Sequence, residues 1–200
     1  MSRFHKKRSR KIIGGMAQSR DRVEPTPSYW NTEQPYPVVD KERPGRGYRH
    51  LLRKQDMLRF IELMPNWNEL AEGLDAIVLA RGENGLEGWY TEGVVGICAW
   101  ERDLWRRHPI HYFEENEGVF RRLGVEFQRR GERVLCKFTE NQARAFQLLN
   151  ILMHELGHHH DRISTRSKFE CSRGEPYAEE YALRYERIIW ERYIQVFDMD

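Results

Sequence analysis

The spacing of apolar residues changes several times along the chain. Leu51, Leu52, Met57, Leu58, Ile61 and Leu63 recur at helical spacing up to Pro65, and residues 67–73 make a second, shorter helical stretch. Ala76-Ile-Val-Leu-Ala80 is an unbroken apolar run of strand length. Residues 89–91 and 94–100 are further strand patterns parted by Gly93. Residues 114–123 return to helical spacing. Residues 125–128 and 133–138 flank Arg-Arg-Gly-Glu, a hairpin signature with Gly131 at the turn. Thr139, followed three positions later by Gln142, is a capping box. The helix it opens carries Ala143, Phe146, Leu148, Leu149, Ile151, Leu152 and Met153. It is apolar on nearly every side and belongs in the centre of a domain. A last long helix starts around Pro176 and continues through Tyr181, Tyr185, Ile188, Ile189 and Tyr193. The pattern predicts an α+β fold. A small, mostly antiparallel sheet from residues 76–138 packs on the buried helix, and the C-terminal helix closes the other side.

The first 48 residues read differently. Apolar positions are sparse and aperiodic, and Pro25, Pro27, Pro35 and Pro37 cluster around Tyr29, Trp30 and Tyr36. This predicts a disordered tail over 1–48 and a folded domain over 49–200. The tail's aromatic residues either dock on the domain as an extended strap or bind a partner, and docking is favoured. Charge follows the same division. Residues 1–50 hold twelve Lys/Arg against five Asp/Glu, and the remainder holds twenty-one against twenty-six. Residues 3–11 are basic enough to contact nucleic acid. No apolar run has the length to cross a bilayer, and the basic start is followed by no apolar signal core, which points to the cytoplasm and to no membrane partner. Cys98, Cys136 and Cys171 are odd in number and widely spaced, the pattern of free, buried thiols.

The centre of the chemistry is His154-Glu155-Leu156-Gly157-His158 at the end of the buried helix. Histidines at i and i+4 share one helix face and can share one tetrahedral zinc. Glu155 cannot occupy the same ligand position, but it can reach a water there, which is the place of a general base. Two buried histidines and a glutamate without a partner would be expensive, and a metal removes that expense. A catalytic zinc takes three protein ligands. The third is expected from Gly174-Glu-Pro-Tyr-Ala-Glu-Glu-Tyr-Ala182, where Glu175, Glu179 and Glu180 compete. Ala178, Ala182, Tyr185 and Ile189 define the inward face of that helix. Glu179 flanks it, Glu180 points away with Arg184 and Arg187, and Glu175 lies near it but precedes Pro176.

HELGHHHD followed by EPYAEEYA resembles the gluzincins, the HExxH-plus-glutamate zinc metallopeptidases. It looks closest to the HExGHxxD…FAExFA pattern of the lethal-factor type. The resemblance covers about forty residues. It implies a zincin-like fold, Zn2+ as cofactor, a peptide or protein substrate, His154, His158 and Glu179 as metal ligands, and Glu155 as catalytic base. Asp161 stays on the metal face and is expected to accept the second N–H of a ligand imidazole. His159 reads as surface and His160 as a rim residue, and Tyr177 and Tyr181 are candidates for stabilising an oxyanion. An edge strand above the metal would bind extended peptide. Two other functions fit the same residues: a regulator that keeps the scaffold without turnover, and a structural metal protein.

Overall fold

The computed structural model of the chain describes residues 36–165 and 172–197, with Tyr29 and the paired strands Ile12–Ile13 (β1) and Met16–Ala17 (β2). Its fold is α+β, with small sheets and a long C-terminal helix. A four-stranded sheet has the order β3 (Val38–Lys41), β5 (Ala76–Ala80), β7 (Val94–Cys98), β6 (Gly88–Thr91). The pairs β3–β5 and β5–β7 are parallel, and only β6–β7 is antiparallel. The single, mostly antiparallel sheet expected over residues 76–138 is instead divided, and this part of it is mostly parallel. Parallel neighbours need a long crossover, and residues 42–75, with α1 (Lys54–Ile61) and α2 (Trp67–Leu70), supply one. Parallel strands are covered on both faces, which is why β5 and β7 are apolar at every position. Ile77, Leu79, Val95 and Ile97 face the main core, while Ala76, Val78, Ala80 and Val94 face a smaller cluster under Tyr29 and Trp89.

Strand β3 also moves the boundary of the tail. Residues 38–41 join the sheet, and Tyr48–Arg49 (β4) pairs with Trp100–Glu101 (β8), so the last part of the expected tail belongs to the fold. Tyr29 docks as the strap reading anticipated, donating from its hydroxyl to Asp40 Oδ2 at 3.0 Å. Tyr36 is exposed, and Trp30 and residues 3–11 lie outside the described residues. The energetic consequence is testable. A chain lacking residues 1–28 is expected to melt close to the full chain. One lacking residues 1–48 loses β3, uncovers β5, and should melt at least about 5 °C lower by circular dichroism, at roughly 2–4 °C per kcal/mol for this size. Equal melting of the two truncations would mean that β3 adds nothing to the sheet.

The second sheet is antiparallel, with order β10 (Glu126–Arg130), β11 (Arg133–Lys137), β9 (Trp105–Pro109). Its β10–β11 hairpin turns at Gly131, whose φ of 59° is costly for residues with a Cβ. Strand β9 escaped the pattern reading because its inward residues are Arg106 and His108, so it shows no apolar alternation. Helix α3 (Ile110–Arg122) follows Pro109 directly, four residues earlier than its periodicity predicts. Cys98 and Cys136 are free and buried as expected, and Cys171 lies outside the described residues. Among the described residues no helix is long and apolar enough to cross a membrane.

Candidate metal centre

The central helix runs from Glu140 to Ser164 in three parts: α4 (Glu140–Phe146), a π-helical segment Gln147–Leu152, and α5 (Met153–Ser164). The capping box opens it as expected. Thr139 Oγ1 accepts from the Gln142 N–H at 3.2 Å, and Gln142 Oε1 accepts from the Thr139 N–H at 2.8 Å, an arrangement worth about 1 kcal/mol. Gln147 donates to the Cys98 carbonyl at 2.8 Å and Asn150 to Asn116 Oδ1 at 3.0 Å, which ties the segment to β7 and to α3. A π-turn sets one extra residue into the spiral and so rotates everything after it by about 100°. It therefore fixes which face of α5 presents His154, Glu155 and His158.

Two close approaches hold α5 in place. A Cβ at Gly157 would lie 2.8 Å from Ala178 Cα and 3.1 Å from Tyr181 Cβ, so the absent side chain is what lets α6 (Gly174–Phe197) pack there. A Cβ at Gly88 on β6 would lie 2.6 Å from Glu155 Oε1 and 2.8 Å from Ile151 Cγ2. The edge strand β6 thus passes directly over the Glu155 carboxyl.

Three donors converge. Glu175 Oε2 is 3.0 Å from His154 Nε2, Glu175 Oε1 is 3.3 Å from His158 Nε2, and the two Nε2 atoms are 3.2 Å apart. Ligands at 2.0–2.1 Å on the corners of a tetrahedron stand roughly 3.3 Å from one another. Each separation is near that spacing, with the two imidazoles facing different oxygens of the exposed Glu175 carboxylate, so the three side chains could hold a metal ion. It is the one grouping among the described residues whose donor atoms could hold a metal ion. Burial, and then the neighbouring His158, keep the His154 pKa below its ordinary value against the pull of Glu175, which favours the neutral imidazole a metal requires.

The third donor differs from the one the motif resemblance implies. Glu179 is not part of the group. It is exposed and lines a cleft of about 1040 Å³ together with His154 and Glu155. The physical reason is the start of α6. The helix begins at Gly174, so Glu175 stands inside its first turn, one turn before Glu179. Glu180 is exposed, as expected.

Asp161 also has a different task. It is fully buried, and its carboxylate accepts from Arg173 N–H at 2.8 Å, Arg173 Nε at 2.8 Å and Gly174 N–H at 3.1 Å. Burial pushes its pKa up, but these hydrogen bonds outweigh burial and hold it below the ordinary carboxylate range. It therefore clamps the start of the helix that carries Glu175 instead of receiving an imidazole N–H. His159 is fully buried, not surface. Its Nε2 lies 3.0 Å from the Glu72 carbonyl, and burial pushes its pKa down to about 4. His160 stacks on Tyr177, with Nδ1 2.7 Å from the tyrosine hydroxyl. Tyr181 is buried and stacked on Tyr185, so neither tyrosine takes part in the cleft wall.

Glu155 is 7 % exposed and lines the cleft beside His154. Burial, then the charges of Glu175 and Glu87, raise its pKa to about 8. The far wall carries a network that pattern reading could not assemble. Arg106 donates to Glu87 at 2.7 Å and to Glu101 at 2.8 Å, and the Tyr112 hydroxyl donates to Glu87 at 2.7 Å. Its members come from three elements and the loop before β6, and only the tertiary fold brings them together. No family model, curated protein or solved structure matches the chain.

Proposed function

We propose that this protein is a zinc-dependent hydrolase that cleaves a peptide or amide bond, with His154, His158 and Glu175 as metal ligands and Glu155 as general base. The observation that carries this reading is the convergence of two imidazole nitrogens 3.2 Å apart with the Glu175 carboxylate, whose two oxygens lie 3.0 and 3.3 Å from them, beside a buried carboxyl in a cleft. A zinc ion held there would polarise a carbonyl, lower the pKa of water toward 7, and by its charge return Glu155 to the carboxylate form. Glu155 accepts the proton of the attacking water and passes it to the leaving amine. Asp161 and Gly157 keep the two helices in register, so the ligands are placed before any metal arrives. Strand β6, at the end of its sheet, runs over Glu155, and an extended chain laid along it would bring a peptide bond to the site, which favours a polypeptide substrate. Among the described residues the group offers three donors, the number a catalytic zinc takes.

Metal analysis of purified protein is the direct test. About one zinc per chain is expected, and His154→Ala and His158→Ala should each lose it. Full occupancy in both variants would remove the assignment. Wild type that carries zinc but cuts nothing in a broad peptide library would favour the regulator reading instead.

A further inference from the structure

The outward face of the second sheet is basic and continuous with the cleft. Alternation and register put Trp105 and Arg107 of β9, Arg133, Leu135 and Lys137 of β11, and Glu126, Gln128 and Arg130 of β10 on that face, four cations against one carboxylate. Trp105, Arg107, Arg133 and Leu135 also line the cleft that His154 and Glu155 share. Neither Arg107 nor Arg133 has an ion-pair partner among the described residues. Arg130 and Arg133 stand directly opposite each other at the hairpin end, a like-charge pairing that disfavours the sheet. An anion lying between and beside them would relieve it. Trp105 is 40 % exposed, and its ring faces the Lys137 ammonium at 5.7 Å.

We propose that this face is a docking surface for an acidic stretch of the polypeptide substrate, flanking the bond to be cut. The proposal rests on the hydrolase reading for its purpose, but not for its binding. The wall across the cleft decides between polyanions. Glu115 on α3 and Glu179 on α6 line it, and after burial the charge of Glu115 is what most raises the Glu179 pKa. A nucleic acid, negative at every unit, would be repelled on reaching that wall. A polypeptide can carry its acids on one side of the scissile bond alone. The chain's own N-terminal segment, with basic residues from Arg3 to Lys11, has the wrong sign to occupy the face.

The test is fluorescence anisotropy with a labelled glutamate-rich peptide, a lysine-rich peptide of equal length, and an oligothymidylate of equal charge. The full-length Glu155→Gln protein is used so that no probe is cut. The glutamate-rich peptide should bind at low salt, weaken as salt rises, and outbind the other two. Arg107→Glu with Arg133→Glu should lower its affinity about tenfold or more, and the milder Arg107→Gln with Arg133→Gln should lower it by less. Arg121→Glu, an exposed reversal on α3, should change it less than about twofold. No binding of the acidic peptide, unchanged binding in both double variants, or tighter binding of the oligonucleotide would each overturn the proposal. Binding as expected, with no hydrolysis by wild type, would instead count against the hydrolase reading and leave the docking surface standing.

Discussion

Glu155→Gln is expected to keep its zinc and its fold and to lose about 10²–10⁴ in turnover, or roughly 3–5 kcal/mol of barrier stabilisation. Glutamine has nearly the same shape as glutamate, so it should fill the same place under Gly88 without disturbing the helix. It cannot accept a proton. The side chain is not among the three donors, so metal content should not change. Removal of a buried carboxyl whose pKa is raised to about 8 also relieves a desolvation penalty, so the variant should melt no lower than wild type. The measurement is turnover, zinc content and melting on one preparation. Wild-type turnover in the variant would show that Glu155 is not the base, and loss of zinc would show that it is a ligand.

The second large effect concerns the glutamates of α6. Glu175→Ala should weaken zinc binding by at least about 100-fold, more than the 10–100-fold typical of residues that only orient a ligand. Its oxygens stand 3.0 and 3.3 Å from the two imidazoles, and two histidines alone make too sparse a site. Glu179→Ala should shift affinity only a few-fold through lost negative charge, and Glu180→Ala less, since neither carboxylate is in the group that converges with the two imidazoles. Competitive titration of the three variants against a chromophoric chelator separates them. If Glu179→Ala releases zinc while Glu175→Ala retains it, the four-residue offset between motif and geometry is the reverse of that drawn above.

That offset shows what the chain made legible and what it did not. The HExxH pair, the capping box at Thr139, the strand at 76–80 and the hairpin at Gly131 are local, set by a few neighbouring residues, and each is found where the pattern places it. The third donor depends on where α6 begins, and that depends on Asp161, which captures Arg173 and Gly174 from twelve and thirteen residues away. Pro176 suggests a start two residues later. Strand β3 was hidden because Val38–Lys41 is too short and too polar to register as a strand, and becomes one through pairing with β5. His159 reads as surface because it points away from the metal face of its helix; its ring is buried against Tyr90 and the Glu72 carbonyl, contacts that only the fold supplies.

Asp161 has a thermodynamic consequence beyond geometry. It lies on the helix that bears two of the donors and grips the first turn of the helix that bears the third. With a metal held as proposed, seating α6 and filling the site would be two faces of one equilibrium. By linkage, every tenfold that a bound ion gains from a well-seated helix is a tenfold that the ion returns to the seating of that helix. On that proposal, free metal concentration would act on the stability of the C-terminal half of the molecule, through the excess of metal over its dissociation constant. Residues far along α6, such as the buried Glu186 that pairs with Arg122, enter the same balance: what holds them in place also tightens the grip on the ion.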